Sequence, residues 1–271
     1  AIVINNWFMM YFLAVVLIGT IYPIFLEAIT TEKISVGPPY FNQLIIPFLI
    51  PFLFIMALGP KLDWIKNKIN KLKLKKITLL VLSLLISFLI VRHLNDKILY
   101  LTVLISAALY LFFISIVDLR NEKLKWSQKV SHLAFSIFIV SIILNSLFSE
   151  EVSVNLKKGE EKRLSSYLLK FENISKKEID NFTSLKAEIH VIQNDKRLKF
   201  YPELRLYKVP ATITSEADIK TNLFSDNLVV VNYLKDTDYL NIRYQKKPFM
   251  FLIWLSAFLL ALGGLIGLRK I

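Results

Sequence analysis

Six uncharged apolar runs of 15 to 21 residues constrain this chain more than any other feature. They are Trp7–Leu26, Phe41–Gly59, Ile77–Val91, Ile98–Val117, Val130–Phe148 and Pro248–Leu268. A helix needs about 20 apolar residues to cross the hydrocarbon core of a bilayer. With 55% hydrophobic side chains and a mean hydropathy of +0.51, the runs predict a polytopic α-helical membrane protein with about six transmembrane helices. They exclude a protein that is water-soluble throughout, and also a transmembrane β-barrel, whose strands are shorter and alternate. The aromatic content of 13% excludes a disordered chain.

The chain contains no cysteine. This excludes disulfides, thiolate metal sites and CxxC redox chemistry supplied by the chain itself. Its first residue is alanine rather than methionine, so we expect it to be part of a longer protein or a processed product.

Lysine and arginine predict the orientation of the spans. The segments 61–76, 118–129 and 269–270 carry 13 basic residues, whereas the short loops on the other side carry three. Because basic loops stay on the cytoplasmic side, we expect both termini to face the cytoplasm, or the matrix in an organelle. The net charge of +13 is then mostly a topological signal. It predicts contact with membrane lipid and no binding of nucleic acid.

The segment between the fifth and sixth spans predicts a soluble, β-rich domain on the extracytoplasmic side. In 185–191 apolar and polar residues alternate, as in a half-buried strand. We therefore divide the chain into a five-helix region (1–148), an extracytoplasmic β-rich domain (149–247), and a final helix with a cytoplasmic tail (248–271). The domain is expected to be a small antiparallel sandwich or barrel. It shows no phosphate loop, nucleophile elbow or metal-binding cluster.

His132 is the one ionisable residue inside a predicted span that could carry chemistry. It lies near the cytoplasmic start of the fifth span, one turn before Ser136. A neutral imidazole is a good ligand for haem iron. From chemistry alone, an interfacial histidine hydrogen-bonded to another helix is the simpler interpretation. His93 should lie about 30 Å away, at the opposite end of its span, and His190 reads as a solvated strand residue.

A pattern of small residues and one loop are also candidates for contacts. Gly263 and Gly267 form a GxxxG pattern in the last span, for which close packing within the chain is the simplest explanation. The loop of residues 32–42 ends in Gly37, Pro38, Pro39, Tyr40, Phe41 and Asn42. We predict that this loop contacts a haem carrier or a partner protein, with capping of helix ends as the alternative.

Several segments resemble the C-terminal part of the CcmF family of cytochrome c-type biogenesis proteins, which includes NrfE. They are GTIYPIFLEAITTEKISVGPPYFN (19–42), LGPKLDW (58–64), SHLAF (131–135), FYPELRLY (200–207), TSEADI (214–219) and FLIWLSAFLLALGGL (251–265). The order and spacing of these pieces match the family over nearly the whole chain. KISVGPPYFN is the most specific of them.

The resemblance implies a component of a haem lyase in the bacterial inner membrane, or the mitochondrial one if the protein is organellar. Such a protein receives haem from the chaperone CcmE and helps to attach it to apocytochrome c, which CcmH-type thiol partners present. It also holds a haem b among its helices. The histidine of the family's H-x-G motif, an axial ligand of that haem, corresponds to His132. In this chain Ala134 stands in place of the motif's glycine.

Other parts of the family pattern are missing. The tryptophan-rich segment, the histidines that hold incoming haem and the second haem b ligand belong to the portion upstream of residue 1. We therefore expect the upstream portion of the same protein to be a partner, and this segment alone to be inactive. Two rivals are half of a haem transporter and a cofactor-free assembly scaffold. The near absence of charge inside the spans disfavours the transporter.

Overall fold

The computed structural model describes residues 2–30, 34–59, 74–94, 98–193, 196–234 and 237–268. Within these ranges, six helices are long and apolar enough to cross a membrane. They are α1 (Ile2–Ile29), α2 (Pro38–Leu58), α3 (Leu74–Leu94), α4 (Ile98–Asp118), α5 (Trp126–Phe148) and α6 (Met250–Leu268). The predicted polytopic helical architecture is confirmed. The lysine-rich segment 61–73, on which the orientation largely depends, lies outside the described residues, and the orientation remains a prediction.

Several helices run past the ends of the apolar runs. Helix α3 extends from Leu74 to Leu94, so the third span has 21 residues rather than the 15 of its apolar run. Helix α1 continues to Ile29 with Pro23 inside it. Flanking lysine and arginine side chains can place their charges at the interface while their aliphatic stems stay in the apolar layer. Helices α1 and α3 are therefore longer than the uncharged stretches that reveal them.

Ala1–Val140 and Leu255–Ile271 form one compact unit, here called the helical unit. Aromatic rings pack between α1 and α2, with ring centroids 4.3 Å apart for Tyr11 and Phe48. The Tyr11 hydroxyl also donates to the Leu44 carbonyl at 2.9 Å. Buried serines such as Ser83 and Ser136 donate to a carbonyl in their own helix. Their hydroxyls are thus satisfied where no water is available.

Ser141–Trp254 form the second compact unit, here called the β unit. Its ten strands are β1 (Glu150–Leu156), β2 (Glu161–Leu164), β3 (Tyr167–Glu178), β4 (Phe182–Gln193), β5 (Lys196–Phe200), β6 (Glu203–Tyr207), β7 (Thr212–Glu216), β8 (Asp218–Thr221), β9 (Ser225–Tyr233) and β10 (Leu240–Pro248). One sheet has the order β1-β10-β9-β8, and the other has the order β2-β3-β4-β6-β7 with β5 paired to β4. All pairings are antiparallel. The fold is therefore the predicted sandwich rather than a barrel.

The core of the β unit lies between the inward faces of these two sheets. Ala187, Ile189 and Val191 of β4 are buried there, as their alternation predicts, and Ile242 and Tyr244 of β10 join the same cluster. Residues 175–178 form the last part of strand β3. The ends of α5 and α6 are part of this compact unit, and the predicted domain boundaries at 148/149 and 247/248 remain a prediction.

Two buried tyrosines make the β unit sensitive to alkaline pH. Burial raises the pKa of Tyr244 to about 12. Burial and a hydrogen bond to Glu150, at 2.7 Å, also raise the pKa of Tyr167 well above its usual value. An unfolded tyrosine ionises near pH 10, so the unfolded state loses these protons first. The stabilisation that these two tyrosines contribute should therefore be complete below about pH 10 and fall progressively as the pH rises above it, through the pKa of Tyr244 at about 12.

We expect part of the phenolate absorbance to appear only as the β unit unfolds in that window. Ultraviolet absorbance and far-ultraviolet circular dichroism, followed together during an alkaline titration, measure both events. Tyr244→Phe should remove part of the late absorbance. Complete ionisation of all 11 tyrosines while the sheets remain intact would contradict the prediction.

Candidate functional site

His132 lies on the second turn of α5 and is half-buried. Two neighbours along the helix are more deeply buried: Ala134, at the motif position where glycine is usual, and Ser136. One turn before the histidine, the Lys129 ammonium donates to the Leu119 carbonyl at 3.0 Å. It also lies 4.7 Å from the centre of the Trp126 ring. The start of α5 is therefore tied to the preceding loop, and this fixes the turn on which His132 stands.

A very close approach of α6 adjoins His132. A Cβ atom added at Gly263 would clash with the Ser131 hydroxyl and lie 3.0 Å from the Ser131 backbone nitrogen. One turn further, Gly267 faces Ser127, with 3.6 Å between its virtual Cβ and that side chain. The GxxxG pattern thus serves helix packing within the chain, as predicted. Ser131 immediately precedes His132, so α6 sets the position of the backbone next to the histidine.

A second neighbour of α5 is α2. The rings of Phe135 and Phe52 meet edge to face, with centroids 6.1 Å apart. Phe52 in turn packs against Phe8 and Phe12 of α1. Helix α5 is therefore held on one side by α6 and on another by the aromatic cluster between α1 and α2. The segment around His132 is a packed part of the helical unit.

The three histidines belong to three different elements. His132 lies in α5, His93 is exposed in the last turn of α3, and His190 belongs to strand β4 of the β unit. The described residues contain no group of three or more histidine, aspartate or glutamate side chains placed to hold a metal ion.

The expectation of a solvated His190 is wrong, because the side chain is buried with only 3% of its surface exposed. It lies on the outward face of β4, but neighbouring side chains cover it. Its Nδ1 lies 3.0 Å from Glu172 and its Nε2 lies 2.9 Å from Glu188. Arg197 of β5 contacts both the imidazole and Glu172. Both ring nitrogens therefore have partners: Nδ1 links β4 to Glu172 of β3 and Arg197 of β5, whereas Nε2 contacts Glu188 within β4.

Electrostatic attraction stabilises this cluster of His190, Glu172 and Arg197. A hydrogen bond from Lys170, at 2.9 Å, lowers the pKa of Glu172 below its usual value, and His190 adds to the effect. The carboxylate thus stays ionised between one histidine and two basic side chains. This arrangement accounts for a buried histidine without assigning it chemistry.

The predicted contact segment 37–42 is not a loop, and that expectation is corrected. Pro38 begins α2, with Pro39 in its first turn and Gly37 as the extended N-cap residue. Proline suits the first turn of a helix, because the amide hydrogen that it lacks would have no partner there. Pro38, Pro39 and Asn42 are exposed.

The two aromatic residues of this segment have a packing role. Gly19 of α1 faces the rings of Tyr40 and Phe41, which would lie within 2.9 Å of a Cβ atom at that position. The glycine allows the start of α2 to approach α1 closely. The contact role of the segment 37–42 remains a prediction.

Known proteins match both units of the chain. Residues 147–248 match the family model described as the CcmF C-terminal beta-sandwich. The chain is 29% identical to the cytochrome c-type biogenesis protein CcmF of Pseudomonas fluorescens, over 97% of this chain and 42% of that protein. It is 26% identical to CcmF of Escherichia coli over the same shares, and 26% identical to NrfE of Haemophilus influenzae over 93% and 42%.

A solved structure shares the fold. The cytochrome c heme lyase CcmF superposes with a TM-score of 0.72 at 19% identity, over 97% of this chain and 44% of that one. The chain thus spans less than half the length of the relatives that it matches. The similarity covers the helices as well as the sandwich. Residues 147–248 thus belong with the CcmF C-terminal beta-sandwich, and the chain as a whole is similar to the C-terminal part of the longer CcmF and NrfE proteins.

Proposed function

We propose that this chain is the C-terminal membrane component of a cytochrome c haem lyase. The observation that carries the proposal is the extent of the similarity: 97% of the chain matches proteins of cytochrome c biogenesis, through the helices and the sandwich together. A shared fold alone would not indicate a shared activity. Here the sequence similarity supports the same role, in the bacterial inner membrane or in the mitochondrial one.

His132 would serve as one axial ligand of a haem b. Three observations support this role. His132 belongs to the SHLAF segment, and it is half-buried in α5, which carries no Asp, Glu, Lys or Arg from Val130 to Phe148. In addition, α2 and α6 pack against α5. Bound haem b supplies one-electron chemistry. The imidazole would hold the iron, and the packed helices would keep water away from it.

The second axial ligand would come from the upstream portion of the same protein. His93 stands at the end of a different span, and His190 is occupied within the β unit. The other partners follow from the family: the haem chaperone CcmE, CcmH-type thiol partners and apocytochrome c. The exposed residues Pro38, Pro39 and Asn42 at the start of α2 would offer a contact surface to one of them.

Complementation tests the proposal in cells that lack their own CcmF-type protein. We expect this chain alone to restore no covalently haem-stained cytochrome c. Together with the upstream portion it should restore maturation, and the two parts should copurify. Tagged chains show whether each part accumulates. Maturation by this chain alone would contradict its assignment as one component that needs the upstream portion. No maturation by two copurifying parts would contradict the haem lyase assignment. Copurification without any haem spectrum would favour the scaffold instead.

A further inference from the structure

An exposed apolar turn lies beside the point where the chain enters its last span. Residues Leu223 and Phe224, here called the apolar turn, connect β8 to β9. Their side chains are 66% and 83% exposed. Two adjacent large apolar side chains at the tip of a β-turn are unfavourable in water. Nothing in the sandwich core requires them there, since the core cluster is formed by other residues.

The turn is held in one conformation by its own hydrogen bonds. The Asn222 side-chain oxygen accepts hydrogen bonds from the backbone nitrogens of Phe224 and Ser225, both at 2.9 Å. The Asn222 backbone nitrogen donates to the Ser225 carbonyl at 3.1 Å. An asparagine that bonds the backbone two residues ahead stabilises a turn in this way. The apolar pair is thus presented by an ordered backbone.

The same backbone places the turn beside the start of α6. The Phe249 nitrogen donates to the Phe224 carbonyl at 2.9 Å, and Met250 is the first residue of α6. The last residue of β10, Pro248, pairs with Ser225. Its carbonyl also accepts a hydrogen bond from Asn145 near the end of α5, at 2.6 Å. The turn therefore lies beside the ends of two helices that can span a bilayer, all within one compact unit.

The neighbouring side chains are those of a membrane interface. Phe251 and Trp254, in the first turns of α6, are exposed, and aromatic residues are enriched where a span meets the headgroups. Lys246 and Lys247 precede the span, opposite Asn227 and Asp226. Basic residues at this depth are attracted to lipid phosphates. The apolar turn, with these aromatic and basic side chains beside it, therefore fits a lipid surface.

We propose that the apolar turn inserts into the lipid interface of the leaflet that faces the β unit. Leu223 and Phe224 enter the boundary between headgroups and acyl chains, next to the first turns of α6. The insertion gives the sandwich a third attachment to the membrane, besides α5 and α6. This role is independent of haem binding and of the lyase assignment.

The absence of cysteine from the chain permits a direct test. The full chain carrying Phe224→Cys is labelled with a nitroxide and reconstituted into vesicles of phosphatidylglycerol and phosphatidylcholine in equal parts. Electron paramagnetic resonance then measures collision of the label with oxygen, which enters the bilayer, and with a water-soluble nickel chelate. Interfacial segments reach about 5–10 Å into the boundary. The ratio of oxygen to nickel collisions should therefore be clearly higher than for a label in water.

Val209→Cys provides the matched control, because Val209 is also 83% exposed and lies in the β6–β7 turn. Strand β7 contacts β9 where the Ser215 hydroxyl donates a hydrogen bond to Asn232. Asn232 lies near the end of β9 that is far from Ser225, and so far from the apolar turn. The label at position 209 should report water, and a label at Trp254→Cys should report lipid. Leu223→Cys gives an independent reading with Phe224 intact. Labels at both 223 and 224 that match the Val209 label would overturn the proposal, whereas lipid-like values at either one would support it.

Discussion

Replacing His132 with alanine is expected to remove the low-spin haem b spectrum from the protein assembled with its upstream portion. Alanine supplies no axial nitrogen, and the apolar surroundings hold no water to replace it. The iron should become high-spin, or the haem should be lost. The reduced-minus-oxidised spectrum measures the α-band of the low-spin form. Holocytochrome c should fall to near background while the protein itself accumulates normally.

His93→Ala is the matched control, since His93 is exposed at the end of α3. It should leave the spectrum and the cytochrome yield unchanged. His190→Gln should do the same, because the amide can still hydrogen-bond the carboxylates that cover this position. A complete low-spin spectrum in His132→Ala would show that the ligand assignment is wrong. The interfacial histidine hydrogen-bonded to another helix would then be the correct interpretation.

Gly263→Ala is expected to weaken the packing of α6 on α5. The added methyl group would clash with the Ser131 hydroxyl and lie 3.0 and 3.2 Å from the Ser131 backbone nitrogen and Cα. Such overpacking typically costs about 1–3 kcal/mol. The thermal unfolding midpoint in detergent should fall by several degrees. Because Ser131 adjoins His132, haem should also dissociate more readily from the assembled protein.

Gly264→Ala is the control within the same helix. No atom lies within 4 Å of a Cβ added there, and both substitutions bring the same gain in helix propensity. Its unfolding midpoint should equal or exceed that of the unchanged chain. Ser131→Gly in the Gly263→Ala background should restore part of the loss, since it removes the hydroxyl but not the backbone contacts. Equal midpoints for the two alanine variants would contradict the packing argument.

Some of the architecture could be predicted from local pattern alone. Long apolar runs have few alternatives to membrane spans, so all six helices were predicted, although α1 and α3 extend beyond their runs. Alternation along residues 185–191 correctly predicted which side chains of β4 face the core. Both inferences depend on periodicity within a single element.

Other features depended on contacts between distant segments. The face of β4 that carries His190 was predicted, but its burial was not, because Glu172 and Arg197 reach it from two other strands. Gly263 was recognised as a packing residue, whereas its contact with Ser131 required the helix pairing to be known. The Pro38-Pro39 pair was interpreted as a stiff loop although proline is equally suited to a helix start. Local sequence does not distinguish these alternatives.

The junctions between the sandwich and its two helices have a mechanical consequence. A single residue, Ser149, separates α5 from β1, and a single residue, Phe249, separates β10 from α6. Strands β1 and β10 are paired from Glu150↔Lys246 to Leu156↔Leu240, so both junctions lead into one stiff ribbon. With no linker to absorb rotation, a twist of either helix end is transmitted as torque to the strands. The sandwich and the adjoining ends of α5 and α6 must therefore tilt and rotate together as one body.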